Sequence, residues 1–150
     1  MQEAIKKALV GAMTYLEYRA MMDALLEDGK TTGPIQTNAY VHYTMMNQDR
    51  MRRLDKTIKV STKSIQEITA ISSPQTWLII TEAWCGDAAQ IIPVLKKIAD
   101  LNDSIETRFV LRDEHEELMD LFLTNGGRSI PKVIVIDNEI TDEQAGSALT

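Results

Sequence analysis

From residue 57 onward, short apolar runs alternate with segments of helical pattern, and this alternation restricts the possible folds more than any other feature. Residues 77–81 form a continuous apolar run and residues 132–137 contain the run Val-Ile-Val-Ile, as expected of strands that are buried on both faces. Residues 105–111 alternate apolar and polar side chains, which also favours a strand. Helical segments are predicted between these runs, at residues 61–73, 86–101 and 113–124. The sequence therefore predicts an α/β domain whose central sheet is flanked by helices.

The first 56 residues have a different pattern and are interpreted as an N-terminal helical extension. Apolar side chains recur at helical spacing through residues 2–28, at Ile5, Leu9, Ala12, Leu16 and Ala20. We expect one helix there, ended by Gly29, and a second helix from about residue 37 or 38 to Leu54. The two helices are amphipathic and have no obvious core of their own. We therefore expect residues 1–56 to pack on a domain formed by residues 57–150.

Charge and composition exclude several classes of function. The chain has 150 residues and a formal net charge of −6, which argues against general nucleic-acid binding. A local basic cluster is interpreted as a solvated helix face in preference to an anion site; its members are Arg50, Arg52, Arg53, Lys56 and Lys59. The single cysteine and the absence of a signal-peptide pattern or a long apolar stretch predict a cytoplasmic protein that does not bind membranes.

No metal or cofactor site is expected. The two histidines, His42 and His115, each lack a second ligand at metal-binding spacing, so the sequence predicts no zinc site. Gly126-Gly127 lies between a predicted helix and a predicted strand, and therefore not where a phosphate-binding loop would lie.

The only cysteine, Cys85, follows a predicted buried strand and precedes a predicted helix that begins near Gly86. Unpaired N–H groups at a helix N-terminus stabilise a thiolate, and the thiolate is the nucleophilic form of cysteine. Gly86 permits close approach of another backbone. A buried, unreactive cysteine would fit the same position, and position alone supports the two interpretations about equally.

The residues around Cys85 resemble the active-site helix of the thioredoxin superfamily. Trp84, Cys85 and Gly86 open the motif, and the family's later positions are matched by Pro93, Leu95, Ile98 and Ala99. Further along, Arg128-Ser129-Ile130-Pro131 precedes an apolar strand and resembles the family's Arg-x-Ile-Pro segment. Two motifs in the same order make the resemblance specific. The chain is also similar to bacterial thioredoxin family proteins that carry a Trp-Cys-Gly-Asp-Ala motif.

The resemblance implies a thioredoxin-like fold, a central mixed sheet and a cis-proline loop. Pro131 would be the cis proline facing Cys85, and Ile130 would offer backbone groups to a substrate chain. Trp84 and Gly86 would complete the substrate-binding surface.

Asp87 takes the place of the proline that the family has after the glycine. It is a candidate proton acceptor for Cys85, and it could instead oppose the thiolate by repulsion. An acid favoured by the helix dipole in the first turn is an equally supported explanation.

The departures from the family pattern shape the expected function. Ala88 replaces the second cysteine, and Ile79 stands where many thioredoxins have a buried acid. The family's final helix has no counterpart before Thr150. We expect monothiol exchange through Cys85 in cell redox homeostasis, with a disulfide-bearing protein or a low-molecular-weight thiol as partner. The alternatives are a redox-silent module that binds peptides or proteins, and an interaction protein that acts through its N-terminal helices.

Overall fold

A mixed sheet with the strand order β2-β1-β3-β4 organises the fold. The computed structural model describes residues 1–138 and 148–149. In chain order the elements are α1 (Gln2–Val10), α2 (Tyr15–Glu27), α3 (Asn38–Thr57), α4 (Thr62–Thr69), β1 (Gln75–Thr81), α5 (Gly86–Ala99), β2 (Ile105–Leu111), α6 (Glu116–Asp120), β3 (Lys132–Asp137) and β4 (Ala148–Leu149). Residues 139–145, which the sequence left open between an edge strand and a helix, lie outside the described residues.

Strand β1 lies inside the sheet, between β2 and β3. It pairs in parallel with β2 and antiparallel with β3, and β4 pairs antiparallel with β3. Leu78, Ile79 and Ile80 in β1 are fully buried, as predicted for a strand covered on both faces. The predicted α/β fold with a central mixed sheet and flanking helices is confirmed.

Each face of the sheet carries its own hydrophobic core, because successive side chains of a strand point to opposite faces. We call the first the α1-side core; it consists of Ala4, Ile5, Ala8, Leu78, Ile80, Val110, Leu118, Met119, Phe122, Ile134 and Ile136. We call the second the α5-side core; it consists of Tyr15, Tyr18, Met22, Met51, Ile79, Ala83, Ala88, Ala89, Ile92, Phe109 and Leu111. Helix α1 therefore covers one face, while α2, α3 and α5 cover the other.

The prediction of one continuous helix over residues 2–28 was wrong. The helix stops at Val10, and α2 starts after Thr14, whose hydroxyl accepts a hydrogen bond from the Glu17 N–H at 3.1 Å. The Glu17 carboxylate accepts in turn from the Thr14 N–H at 2.9 Å, which completes a capping box. Between the helices, the backbone of Met13 exchanges two 2.8 Å hydrogen bonds with Phe109 at the edge of the sheet. The backbone of Met13 therefore pairs with the edge strand β2, and the helix is interrupted at this point.

The helix predicted at residues 113–124 is also shorter than expected. A single turn of 3-10 helix occupies Arg112–Glu114, and α6 then runs only from Glu116 to Asp120. Asp113 and Glu116 have the spacing of a capping box, but α6 begins at Glu116 with His115 as its N-cap residue, and the Asp113 carboxylate accepts a hydrogen bond from Arg112 Nε at 3.0 Å. Asn125 then adopts a left-handed conformation with φ of 51°, which opens the turn toward β3.

Polar contacts join the helices of the N-terminal extension to one another. The Tyr15 hydroxyl donates to Asp55 Oδ1 at 2.7 Å, and Arg19 Nη1 donates to Asp55 Oδ2 at 2.6 Å. These bonds tie α2 to α3 beside the α5-side core. The domain boundary between residues 56 and 57 stays a prediction.

Candidate functional site

Cys85 lies where the chain leaves β1 and enters α5, as the sequence predicted. It is the N-cap residue of α5, and its side chain is a half-buried free thiol. The first N–H groups of a helix have no partners within the helix, so they are directed toward this end and favour a negative charge there. The Cys85 Sγ donates a long hydrogen bond of 3.7 Å to the Ile130 carbonyl oxygen.

Sheet topology explains how Ile130 reaches Cys85 although 45 positions separate them in the chain. Strands β1 and β3 are antiparallel neighbours, and Ile80 near the end of β1 is opposite Lys132 at the start of β3. Residues that follow β1 and residues that precede β3 therefore meet at the same end of these two strands. The peptide bond between Ile130 and Pro131 is cis.

The indole of Trp84 forms a wall beside Cys85. Its ring centroid lies 5.1 Å from that of Tyr40 on α3, and the guanidinium carbon of Arg112 lies 5.1 Å from the indole centroid. An aromatic contact and a cation–π contact thus hold a half-buried side chain in place. Trp84 is fixed by two elements that are remote in the sequence.

Buried hydrogen bonds hold the turn that precedes Cys85. Asn47 Nδ2 donates to the Ala83 carbonyl at 2.9 Å, and the Ala83 N–H donates to Thr32 Oγ1 at 2.9 Å. Both partners belong to the N-terminal extension and are buried. Sequence reasoning missed them, because a single Asn or Thr in a helix or loop carries no local sign of its long-range partner.

A cavity of about 440 Å³ opens between α3 and the turn that carries Cys85. Its lining consists of Tyr40, Tyr43, Met46, Asn47, Arg50, Trp84, Cys85, Gly86 and Asp87. A volume of this size is within the range of small-molecule sites. Four predicted site residues therefore share one cavity, whereas Ile130 and Pro131 approach Cys85 from outside its lining.

Arg50 departs from the expectation of a solvated basic face. It is half-buried and lines the cavity, and its Nη1 lies 3.6 Å from the position that a Cβ on Gly86 would occupy. Arg52, in contrast, is exposed and pairs with Asp23 and Asp49 at 3.6 and 3.7 Å. The surroundings of these two arginines differ because α3 packs against the turn at Gly86 on the side of Arg50.

A buried carboxyl group that the sequence analysis missed lies next to the site. Glu82 directly follows β1, is 0% exposed, and neither of its carboxylate oxygens has a hydrogen-bond partner among the described residues. Burial, and to a lesser degree the adjacent carboxyl of Asp113, raises the pKa of Glu82 to about 8. This environment therefore favours the protonated form of Glu82.

Gly33 makes room for this pair of carboxyl groups. Its φ is +80°, and a Cβ there would lie 2.9 Å from Asp113 Oδ2 and 3.2 Å from Glu82 Oε1. A side chain at this position would clash with the acids and strain the backbone. Ile79 stands where many thioredoxins have a buried acid, and in this chain a different acid, Glu82, is buried.

The side chains and helices of residues 1–138 and 148–149 bear on metal and membrane binding. In that part of the chain, no group of three or more His, Cys, Asp or Glu side chains is arranged to hold a metal ion. No helix there is long and apolar enough to cross a membrane. His42 is exposed on α3, and His115 is the N-cap residue of α6.

Two solved structures have folds similar to that of this chain. None of the curated proteins matches the sequence. A protein of unknown function from Pseudomonas aeruginosa has a similar structure, with a TM-score of 0.54, 17% sequence identity, and coverage of 85% of this chain and 72% of that chain. An HIV epitope scaffold is similar with a TM-score of 0.53, 18% identity and the same two coverages, 85% and 72%.

Identities this low show a shared fold and nothing more. The family model described as thioredoxin matches residues 33–146, well over half of the chain. That range includes α3, the turn with Cys85 and the segment with Pro131. The chain therefore belongs to the thioredoxin family.

Proposed function

We propose that this protein carries out thiol–disulfide exchange through Cys85 alone, as a bacterial, single-cysteine member of the thioredoxin family in cell redox homeostasis. The observation that carries the proposal is the position of the Cys85 thiol, which lies at the N-terminus of α5 and contacts the Ile130 carbonyl next to the cis peptide bond of Pro131. A helix N-terminus favours the thiolate, and a half-buried position leaves the sulfur accessible to a substrate.

The proposed exchange proceeds in two balanced steps. The Cys85 thiolate attacks one sulfur of a disulfide, the substrate S–S bond breaks, and the other half leaves as a thiolate that takes up a proton. The product is a mixed disulfide on Cys85. Ala88 is buried in the first turn of α5 where a second cysteine would attack, so an external thiol must resolve the mixed disulfide and regenerate Cys85.

The charges around the sulfur are compatible with this step. The raised pKa of Glu82 favours its protonated form, which adds no negative charge next to the Cys85 thiolate. Asp87 is exposed, so water screens its repulsion, and its place in the first turn of α5 makes it the candidate acceptor of the thiol proton.

The proposed partners are a disulfide-bearing protein or a low-molecular-weight thiol, and not nucleic acids or membranes. An unpaired catalytic thiol depends on a pool of reduced thiols for its resolution, so we place this activity in the cytoplasm.

A redox-silent peptide-binding module is the second candidate function. The observation that favours it is the hydrogen bond from Cys85 to Ile130, because a thiol that donates a hydrogen bond is in its protonated, less nucleophilic form. In this alternative, the backbone of Ile130 next to Pro131 pairs with an extended peptide, as an added strand does at a sheet edge.

The experiment that separates the two candidates is mass spectrometry of the native protein after treatment with hydroxyethyl disulfide at mildly alkaline pH. We expect a stable adduct on Cys85, and slow or absent reduction of insulin by dithiothreitol in the presence of the protein. Cys85→Ser should form no adduct and keep its fold. An unmodified wild-type protein would contradict the exchange function and leave peptide binding as the better candidate.

Ala88→Cys supplies a matched gain-of-function variant. It restores a second thiol one helical turn after Cys85, so we expect the mixed disulfide to be released as an internal disulfide forms. The adduct should then be short-lived, and insulin reduction should become measurable. An adduct that persists equally in wild type and Ala88→Cys would show that the cysteine is modified without exchange.

A further inference from the structure

The cavity between α3 and the turn at Cys85 combines apolar walls with the guanidinium of Arg50. Tyr43 and Met46 line it and are 47% and 46% exposed, and the tilted rings of Trp84 and Tyr40 contact each other in its wall. Arg50 is half-buried in the lining, and within the described part of the chain no acid pairs with its guanidinium. A partly desolvated guanidinium without a partner is a binding group for a carboxylate.

The position of Arg50 relative to the sulfur restricts the size of a ligand that could use both. Its Nη1 lies beside Gly86, the residue that follows Cys85, at 3.6 Å from the point where a Cβ would lie. A carboxylate held there would be separated from a sulfur on Cys85 by a short linker only. Asp87 also lines the cavity, so a second negative charge on the ligand is disfavoured and an ammonium group is favoured.

We propose that this cavity binds the amino-acid half of a low-molecular-weight disulfide, with its carboxylate on Arg50, its ammonium group near Asp87 and its sulfur at Cys85. The inference rests on the proposed exchange function and adds the class of substrate. The bound half forms the new S–S bond to Cys85, and the other half leaves as a thiolate that takes up a proton. The substrate class is therefore a disulfide of a zwitterionic, cysteine-like thiol.

The contact of Cys85 with Ile130 does not offer the same recognition. Ile130 presents a backbone carbonyl there, which suits an extended peptide, and neither Ile130 nor Pro131 lines the cavity. Charge complementarity thus favours a small zwitterion on the α3 side. A protein disulfide bound through the Pro131 side alone is an outcome that the test can detect.

The test compares three disulfides of similar size and different charge: cystine, cystamine and hydroxyethyl disulfide. Cystine carries carboxylates and ammonium groups, cystamine carries ammonium groups only, and hydroxyethyl disulfide is neutral. The rate of adduct formation on Cys85 is followed by mass spectrometry in wild type, Arg50→Gln and Arg50→Lys. Each disulfide is compared with itself across the variants, because the leaving thiol changes the intrinsic rate.

Arg50→Gln should slow the reaction with cystine by about fivefold to tenfold and change the rates with the other two disulfides by less than about twofold. Arg50→Lys keeps the charge without the planar fork and should recover part of the rate with cystine. Arg53→Gln is the matched control: it removes the same charge from an exposed position on α3 outside the cavity lining, and it should change none of the rates.

The outcomes distinguish this inference from the function on which it rests. If all three disulfides react with Cys85 and Arg50→Gln slows them equally or not at all, the substrate class is wrong and the exchange function stands. Equal slowing of cystine by Arg50→Gln and Arg53→Gln would indicate general charge attraction and would also overturn the inference. If none of the disulfides reacts with the wild-type protein, both the exchange function and this substrate class are wrong.

Discussion

The α1-side core and the α5-side core bury the same sheet with different kinds of contact. The first is built from aliphatic side chains, methionine and one phenylalanine. The second is joined by buried polar groups close to the site, including the Tyr18 hydroxyl, which lies 3.3 Å from Thr81 Oγ1, and the contacts that Asn47 and Thr32 make with Ala83. Glu82 is buried next to these groups without a hydrogen-bond partner among the described residues.

The difference shows how the molecule separates stability from positioning. Apolar contacts are non-directional, so the α1-side core stabilises the sheet without fixing any one backbone atom. Buried hydrogen bonds are directional and require their partners, so those of the α5 side hold the backbone before Cys85 in one arrangement. We expect damage to the first core to lower stability alone, and damage to the second to alter the site as well.

Removal of residues 1–54 should have the largest effect, because it takes helices from both cores. The sheet would expose apolar surface on each face, and exposed apolar surface is unfavourable by about 25 cal/mol per Å². We expect an aggregating or molten product, detected by dye binding and by the loss of a cooperative melting transition. A well-folded product with an unchanged melting temperature would show that residues 57–150 form an independent domain.

Single truncations within each core should come next in size. Ile134→Ala and Phe109→Ala each remove a fully buried side chain and should lower the free energy of unfolding by about 3–4 kcal/mol. Phe109 stacks on Tyr18 at 5.6 Å, so its loss should also change the rate of Cys85 alkylation. Ile134→Ala should leave that rate unchanged in the folded protein. Equal effects of both variants on alkylation would contradict the division between the two cores.

Glu82→Gln tests the buried carboxyl through the pH dependence of stability. Native Glu82 keeps its proton up to about pH 8, whereas in the unfolded chain it ionises near its ordinary value of 4.5. The native state therefore binds more protons in this window, and the stability that Glu82 contributes is lost as the pH rises from about 4.5 to about 8. Glu82→Gln should flatten this decline.

The expected gain of Glu82→Gln above pH 8 is at most about 5 kcal/mol, since each unit between the two pKa values corresponds to about 1.4 kcal/mol; it is measured by denaturant unfolding across the pH range. Below pH 4.5 the variant and the wild type should differ little, because both then carry a neutral group at this position. A wild-type stability that rises between these two pH values, relative to the variant, would contradict the raised pKa.

Asn47→Ala should have the smallest effect on stability and a clear effect on the site. It leaves the buried Ala83 carbonyl without its 2.9 Å partner, which should lower the free energy of unfolding by about 1–2 kcal/mol. Because Ala83 precedes the turn at Cys85, we also expect the alkylation rate of Cys85 to change. Gln48→Ala, at the next position on the same helix, serves as the control. An unchanged alkylation rate in Asn47→Ala would show that this contact does not position the thiol.

Local pattern was sufficient for most elements of the fold. Strands β2 and β3 have the bounds that were predicted, and Thr37 and Ser61 cap α3 and α4 as their types suggested. The break between α1 and α2 was missed although its signals, Gly11 and the spacing of Thr14 and Glu17, are local. The apolar periodicity of residues 2–28 continues on both sides of the break, so it predicts one helix although Thr14 is an N-cap residue.

The sequence by itself determined the alternation of strands and helices and the place of Cys85 before a helix, because strand periodicity and caps are properties of neighbouring residues. Tertiary structure alone decided that Glu82 is buried and that Arg50 lines a cavity while Arg52 stays in solvent. Burial and partnership depend on elements that are distant in the chain. Identical residue types on one helix thereby acquire different surroundings, and only the packed fold distinguishes them.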